Sequence, residues 1–247
     1  MAAKKIRLDQ LLVARGLAET PVKAQALILA GVVFSGEQRL STAGAQVPED
    51  MAVEVRGKEH PWVSRGGIKL AHGLAHFGLD PTGRVCLDIG ASTGGFTDVL
   101  LHHGAAKVYA VDVGYGQLAD KLRHDPRVVA LERANARHLT AAQVPEPVGA
   151  IVCDASFIGL RTVLPAALAL AAPGAFLIAL IKPQFEVAKD RVGKKGVVRD
   201  PALHDQVCAE ISAWLAGQPG WRVLGLARSP ITGPEGNVEF LIAGQRN

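Results

Sequence analysis

The sequence predicts an α/β protein built on a mostly parallel sheet, with a small helical domain in front of it. From Arg84 onward, short apolar runs alternate with helical segments, a pattern typical of a sheet with helices on both faces. The first 60 residues lack this alternation and contain two short helical stretches instead. Apolar residues make up 49% of the 247-residue chain, which is enough to bury a substantial core.

The N-terminal segment, residues 1–58, is expected to form two helices and a small sheet. Apolar residues at near-helical spacing predict a first helix around residues 6–12. Thr20 followed by Pro21 is a typical helix start, and Gly31 is placed to end this second helix. Short strands are predicted at residues 32–34 and 52–55.

This arrangement resembles the α-L RNA-binding module of a ribosomal small-subunit protein. The resemblance is carried by residues 7–9, 23–24 and 28–33. It implies RNA binding, and the first 72 residues carry 10 Lys and Arg against 7 Asp and Glu. The candidate phosphate contacts, which would add affinity without reading base edges, are Lys4, Arg7, Arg15 and Lys23. A plain helical cap on the next domain is the alternative interpretation.

Residues 59–65 are polar and are predicted to link this domain to a second one, residues 66–247. Strands of the second domain are predicted at residues 85–89, 107–112, 150–154, 175–182, 221–226 and 238–243, and helices at 96–103 and 204–215. The last two strands are joined by a Gly- and Pro-bearing loop without a helix. We therefore expect the last strand to run antiparallel to its neighbours.

Residues 162–181 are uncharged and long enough to cross a bilayer as a helix. A proline and a Pro-Gly pair interrupt this run, so we predict a helix to about Ala172, a turn, and a buried strand from Ala175. The N-terminus shows no signal-peptide pattern, and the three cysteines are expected to be buried core residues. These features predict a cytoplasmic protein without membrane contact.

A glycine-rich loop at residues 88–98 joins a buried strand to a helix. Such a loop lets the backbone approach a ligand and presents helix N-terminal N–H groups to it. A phosphate-binding loop would need a Lys where Phe96 stands, and a dinucleotide fingerprint would need a Gly at Ser92. A methionine-derived cofactor fits better, because Asp88 can engage its amino end and Asp112, at the next strand end, its ribose hydroxyls.

Residues 62–243 resemble the Rossmann-like class I methyltransferases, and more closely the FtsJ-type RNA 2′-O-methyltransferases. The motif that carries this resemblance is DIGASTGGFTD, at residues 88–98. The resemblance implies S-adenosyl-L-methionine as the cofactor. It also implies cofactor contacts from Asp88, Gly90, Ser92, Gly94, Phe96, Asp112, Asn135, Ala136 and Asp154.

Four ionisable residues are expected near the transferred methyl group: Lys69, Asp154, Lys182 and Glu239. A ribose hydroxyl is a poor nucleophile and must be aligned behind the methyl group and relieved of its proton. Lys182 ends the apolar run FLIALIK, where a lysine is costly unless it is paired. We hypothesise that Lys182 takes the proton, directly or with the help of Lys69, while the two acids hold the ammonium groups. Structural salt bridging is the alternative, and no metal is expected because the leaving group departs neutral.

The four residues match the Lys-Asp-Lys-Glu tetrad of ribose 2′-O-methyltransferases, in family order. Together with the N-terminal module and the stretches WVSRGGIKL, KPQFE and GKKGVVRDP, they resemble the TlyA (haemolysin A) family of ribosomal-RNA methyltransferases. This resemblance implies methylation of cytidine 2′-oxygens in ribosomal RNA, with ribosomal subunits as partners. Arg65, Lys194 and Lys195 are further candidate phosphate contacts, because they lie beside the linker or in a Gly-containing basic loop.

Three other functions remain open at this point. The chain could be an RNA-binding or ribosome-assembly protein with a vestigial methyltransferase fold, or a membrane-active haemolysin. It could also methylate transfer RNA or a base atom. Base-nitrogen methylases usually carry an Asn/Asp-Pro-Pro-aromatic motif after the fourth strand, whereas this chain has Asp154-Ala155-Ser156-Phe157.

Overall fold

The computed structural model describes residues 4–29, 31–56, 60–233 and 235–247. The chain divides into two compact units, Met1–Pro61 and Trp62–Asn247. The predicted domain boundary between residues 58 and 59 lies outside the described residues. Part of the predicted linker is held on the second unit, because the Val63 N–H donates a hydrogen bond of 2.8 Å to Asp98 Oδ2.

In its described residues, the first unit contains two helices and two small sheets. Its elements are β1 (Lys5–Arg7), α1 (Leu8–Ala14), α2 (Pro21–Leu29), β2 (Val33–Ser35), β3 (Gln38–Arg39), β4 (Gln46–Pro48) and β5 (Glu54–Val55). β1 pairs with β4, and the second sheet has the order β3-β2-β5. The predicted start of the second helix is confirmed, since Thr20 Oγ1 accepts a hydrogen bond from the Lys23 N–H at 3.2 Å.

The second unit is built on a seven-stranded sheet. In chain order its elements are α3 (Gly66–Phe77), β6 (Val85–Ile89), α4 (Gly95–His102), β7 (Lys107–Val111), α5 (Asp120–Arg123), β8 (Val128–Leu131), β9 (Val148–Cys153), α6 (Leu160–Val163), α7 (Pro165–Ala169), β10 (Ala171–Ile181), α8 (Pro183–Glu186), α9 (Pro201–Ala216), β11 (Trp221–Arg228) and β12 (Phe240–Arg246). The strand order is β11-β12-β10-β9-β6-β7-β8. β12 runs antiparallel to both of its neighbours, which confirms the predicted direction of the last strand.

Helices cover both faces of this sheet, as the sequence predicts. Along β9, Ala150 and Val152 belong to one buried apolar cluster, while Ile151 and Cys153 belong to another. Because side chains of a strand alternate between the two faces, the two clusters lie on opposite sides of the sheet. α3, α4 and α5 contribute to the first cluster, and α6, α7 and α9 to the second.

Several details differ from the sequence-based expectation, and the first is that the helix predicted around residues 6–12 begins at Leu8, because residues 5–7 form β1. The helix predicted to run to Ala172 is wrong, because α7 ends at Ala169 and β10 already begins at Ala171. The Pro-Gly pair that we interpreted as a turn lies inside β10, where the pairing with β9 shifts register between Ala171 and Phe176. β8 was not predicted, although its four residues, VVAL, are all apolar; this edge strand is short and only half-buried.

The strand order places a crevice at the carboxyl ends of β6 and β9. These two strands are neighbours, but the chain continues from β6 toward one edge of the sheet and from β9 toward the other. In open α/β sheets, ligands bind outside the carboxyl ends of the strands at such a reversal of strand order.

Candidate active site

Two adjoining clefts open at this edge of the sheet. The larger, called the tetrad cleft, has a volume of about 740 Å³ and is lined by all four predicted catalytic residues. The smaller, called the cofactor cleft, has about 370 Å³ and is lined by Asp112, Asn135 and Ala136. Asp154 lines both clefts, as do Gly90, Ser92, Ser156 and Phe157, so the two cavities adjoin at these residues.

The four predicted catalytic side chains form a continuous chain of ion pairs. Lys69 Nζ lies 2.6 Å from Glu239 Oε2 and 3.5 Å from Asp154 Oδ2. The other oxygen of Asp154, Oδ1, lies 2.7 Å from Lys182 Nζ. The order is therefore Glu239, Lys69, Asp154, Lys182, with Asp154 shared between the two lysines.

This network is largely withdrawn from solvent. Lys69 is 7% exposed, Lys182 6% and Glu239 2%. Each buried charge faces an opposite charge within 2.7 Å, which offsets the free energy of removing it from water. Breaking one pair would leave a buried charge uncompensated.

The four residues come from separate parts of the second unit. Lys69 lies near the start of α3, Asp154 and Lys182 directly follow β9 and β10, and Glu239 directly precedes β12. β9 and β10 are parallel neighbours, so their carboxyl ends lie side by side. β12 runs antiparallel to β10, so Glu239, the residue before β12, lies at the same edge of the sheet.

Ser156 is a site residue that the sequence did not reveal. Its Oγ accepts a hydrogen bond from Lys182 Nζ at 2.8 Å, and the Asp154 carbonyl accepts another at 3.0 Å. With the ion pair to the Asp154 carboxylate, all three N–H donors of the Lys182 ammonium have an acceptor. The only sequence signal was the position of Ser156 two residues after the acid.

Phe157 is a second such residue, at the entrance of both clefts. It is 90% exposed and has a positive φ of 65°. Its ring centroid lies 5.2 Å from that of Phe185. A large aromatic side chain held in an unfavourable backbone conformation at a cleft entrance is typical of a ligand contact.

The loop after β6 lies against the loop after β9. Gly90 has a φ of 78°, and a Cβ there would stand 2.8 Å from Ala155 Cα. Asp112 fixes the same loop, since its Oδ2 accepts a hydrogen bond from the Ser92 N–H at 2.8 Å. Its Oδ1 accepts another from the Gly114 N–H at 2.7 Å. Each oxygen keeps a further lone pair that can accept from a ribose hydroxyl.

Replacing Gly90 with Ala is expected to weaken S-adenosyl-L-methionine binding by about tenfold or more. The added methyl group would clash with the Ala155 backbone and force apart the loops that shape the cofactor cleft. Gly116→Ala is the matched control, because Gly116 has a similar φ of 68° but open space, with no described atom within 4 Å, where its added methyl group would lie. Isothermal titration of both variants with the cofactor measures the difference. Equal affinities would show that only backbone strain matters.

Not every predicted cofactor residue lines a cleft. Asp88 is completely buried beneath the loop, and its Oδ2 accepts a hydrogen bond from Thr97 Oγ1 at 2.6 Å. Its Oδ1 has no hydrogen-bond partner among the described residues. Gly94 faces Leu118 and Leu122, where a Cβ would clash, whereas Phe96 lines the tetrad cleft. The free oxygen of Asp88 is enclosed beneath the loop, so its contact with the amino end of the cofactor stays a prediction.

Burial raises the pKa of Asp88 to about 7 from its ordinary value of 3.8. Between these pH values the folded chain holds a proton that the unfolded chain has released, so raising the pH favours unfolding. We expect the free energy of unfolding of the wild type to fall by about 1.4 kcal/mol per pH unit relative to Asp88→Asn between pH 4 and 7. Urea titrations across this range, with the exposed Asp205→Asn as control, measure the slope. If the difference in the free energy of unfolding between the wild type and Asp88→Asn stays constant from pH 4 to 7, the pKa of Asp88 is not raised.

The predicted RNA contacts fall into two groups. Arg65 and Lys195 line the tetrad cleft, while Lys194 is exposed and does not line it. In the first unit, the Arg7 guanidinium binds both oxygens of the buried Asp9, at 3.0 and 2.7 Å. The hydrogen bonds from Arg7 lower the pKa of Asp9 to about 2, against the opposing effect of burial.

The other basic candidates of the first unit also have partners within that unit. Lys4 lies 3.5 Å from Glu49, Lys23 pairs with Glu19, and Arg15 donates to the Glu49 carbonyl at 3.0 Å. Unlike the contact of Arg7 with the buried Asp9, these contacts are exposed. Exposed ion pairs are weak, so these side chains can readily leave their partners to bind a phosphate. Arg7 is therefore the candidate that is least free to contact RNA.

Fold and site together define a class I methyltransferase that uses S-adenosyl-L-methionine, as the sequence predicts. The chain belongs to the FtsJ-like methyltransferase family, which matches residues 62–246. It is 49% identical to YqxC of Bacillus subtilis over 98% of this chain and 86% of that protein. It is 48% identical to the 16S/23S rRNA (cytidine-2′-O)-methyltransferase TlyA of Mycobacterium tuberculosis, over 97% of this chain and 90% of TlyA.

A solved structure of a hemolysin-type protein from Streptococcus thermophilus has the same fold over the whole chain. It superposes with a TM-score of 0.77 at 39% identity and covers 100% of this chain and 90% of that one. The resemblance to the TlyA (haemolysin A) family, based on the sequence motifs alone, is thereby confirmed.

Proposed function

We propose that this protein transfers the methyl group of S-adenosyl-L-methionine to the 2′-hydroxyl of a ribose in ribosomal RNA, with cytidine as the nucleoside. The observation that carries the proposal is the ion-pair chain from Glu239 to Lys182 in the tetrad cleft, joined to the cofactor cleft at Asp154. The name of the TlyA relative supports ribosomal RNA and cytidine as the substrate.

The cofactor supplies an electrophilic methyl group on a sulfonium. Asp154, which lines both clefts, holds Lys182 beside the point where the ribose oxygen would meet that methyl group. For this step the Lys182 ammonium first releases one proton to solvent, and the neutral amine then accepts the hydroxyl proton at Nζ. The Asp154 carboxylate stabilises the ammonium that forms again. Lys69 and Glu239 fix the second oxygen of Asp154 and so keep its carboxylate in place.

The roles of the other residues follow from their positions. Gly90, Ser92, Asp112, Asn135 and Ala136 would line the bound cofactor in its cleft. Asp88, Gly94 and Phe96 would support the loop around its methionine end. Arg65, Lys194 and Lys195, together with Lys4, Arg7, Arg15 and Lys23 of the first unit, would contact RNA phosphates.

A membrane-active function has less support. No helix in the described parts of the chain combines the length and apolarity that a membrane span requires. The uncharged run at residues 162–181 forms two short helices and a buried strand. We propose that the protein acts in the cytoplasm, where ribosomal subunits are its partners.

Incubation with isotope-labelled S-adenosyl-L-methionine and separated ribosomal subunits tests the proposal. We expect label in ribosomal RNA, located by nuclease digestion and mass spectrometry at a cytidine 2′-oxygen. Transfer RNA serves as the control substrate. Label on a base, on transfer RNA alone, or nowhere would contradict the proposed function.

A further inference from the structure

The basic turn at residues 193–198, called the Lys195 turn here, is fixed by one side chain from another loop. Asn237 is only 4% exposed. Its Oδ1 accepts a hydrogen bond from the Val198 N–H at 3.0 Å, and its Nδ2 donates one to the Gly196 carbonyl at 3.0 Å. Because both ends of the amide are used on this backbone, the turn is tied to the segment that precedes β12.

The backbone of the turn needs such support. Lys195 has a φ of 63°, in the left-handed region that residues other than glycine rarely adopt. Within the turn, the Gly196 N–H donates to the Gly193 carbonyl at 3.1 Å, and the Gly193 N–H donates to the Val197 carbonyl at 3.2 Å. A non-glycine residue in this conformation persists only where its surroundings hold it there.

The strained conformation directs Lys195 to the substrate side. Lys195 lines the tetrad cleft, whereas its neighbour Lys194 does not. Lys195 forms no ion pair with any residue in the described ranges, so its charge is not used within the unit. An RNA chain that places a ribose in this cleft carries a phosphate on each side of that ribose.

The same short segment also carries a tetrad residue. Asn237 precedes Glu239 by two positions, and the Glu239 carboxylate pairs with Lys69 at 2.6 Å. At its other end, the Lys195 turn is held by His204, whose Nε2 lies 2.9 Å from the Val198 carbonyl. The turn therefore has a fixed position relative to the ion-pair network.

We propose that Asn237 is a positioning residue for RNA, which holds the Lys195 turn so that the Lys195 ammonium binds a backbone phosphate beside the methylated ribose. This inference rests on the proposed function, because it assumes an RNA ribose in the tetrad cleft. A phosphate contact positions the RNA chain without reading its sequence. It contributes to substrate affinity rather than to the methyl-transfer step.

The test compares Asn237→Ala, Lys195→Ala and the double variant, with Lys189→Ala, an exposed lysine that does not line the tetrad cleft, as the control. The measured quantities are KM and kcat for methyl transfer to isolated ribosomal subunits, and the Kd of S-adenosyl-L-methionine. We expect each single variant to raise KM about tenfold, as for loss of one charged hydrogen bond, with kcat and cofactor Kd nearly unchanged. The double variant should also raise KM about tenfold, because the two residues act through one contact.

Salt dependence provides a second readout of the same contact. The slope of log affinity for ribosomal subunits against log salt concentration should become less negative by roughly 0.7–0.9 in both single variants. Lys189→Ala should change KM by less than about twofold. Asn237→Ser is the second variant should Asn237→Ala fold poorly. Its hydroxyl can serve at most one of the two backbone partners, so an intermediate KM is expected.

Several results would overturn the inference. If the two single effects multiply in the double variant, Asn237 and Lys195 act independently. If Asn237→Ala lowers kcat at constant KM, it acts through Glu239 rather than through the turn. An unchanged KM in Lys195→Ala would exclude the phosphate contact. A wild type that methylates neither subunit would instead refute the proposed function, and the inference would fall with it.

Discussion

Replacing Lys182 with Ala is expected to lower the rate of methyl transfer to ribosomal RNA by about 10²–10⁴-fold, the usual contribution of a general base. Lys182 lines the tetrad cleft, 2.7 Å from the carboxylate of Asp154, a residue that lines both clefts. Without its amine, the proposed acceptor of the ribose proton is lost. Asp154 keeps Lys69 as a partner at 3.5 Å, so the fold is expected to survive.

The measurement is a single-turnover assay with labelled cofactor and ribosomal subunits, together with the cofactor Kd. The Kd should stay within about threefold, because Lys182 does not line the cofactor cleft. Lys189→Ala, an exposed lysine in a short 3₁₀ helix, is the control and should leave the rate unchanged. Turnover in Lys182→Ala within tenfold of the wild type would end the assignment of Lys182 as the base.

The second large effect is expected for Lys69→Met. This change leaves Glu239, which is 2% exposed, without the ammonium that lies 2.6 Å from it. An uncompensated buried charge typically lowers the free energy of unfolding by about 3–5 kcal/mol. The Lys107–Glu146 pair provides the control, because its distance is a similar 2.8 Å but its side chains are 34% and 38% exposed. Lys107→Met should lower the free energy of unfolding by less than about 1 kcal/mol.

The double variant Lys69→Met/Glu239→Gln separates stability from chemistry. Removing the buried charge of Glu239 should restore most of the lost free energy of unfolding, measured by urea titration. Methyl transfer should remain low, because Asp154 has lost the partner of its second oxygen. If activity returns together with stability, the Lys69–Glu239 pair is structural and the chemistry depends on Asp154 and Lys182 alone.

The sheet of the second unit was predictable because its strands carry local signals. β6 and β10 are buried on both faces and read as nearly continuous apolar runs, which needs no knowledge of the tertiary structure. The half-buried β8 is an apolar run of only four residues and was missed. The glycine loop after β6 is likewise a local pattern, so its place at the cofactor cleft followed from the rule for strand ends.

The basic residues of the first unit show the opposite situation. Their positive charge is visible in the sequence, but the acids that pair with them are not. Arg7 binds a carboxylate that α1 buries, and this partner depends on how that unit packs. Composition therefore indicates an excess of charge, whereas only the structure shows which charges are already in use.

The sequence by itself determined the alternation of strands and helices, the cofactor loop, and the identity of the four tetrad residues. The periodicity of apolar residues indicates which side chains are buried, and a position at the end of a strand indicates the edge of the sheet at which a residue lies. Only the tertiary structure decided that Asp154 is shared by two lysines, that Ser156 completes the hydrogen bonds of Lys182, and that Asn237 holds the Lys195 turn. These contacts join separate loops and elements, and a local pattern carries no information about such partners.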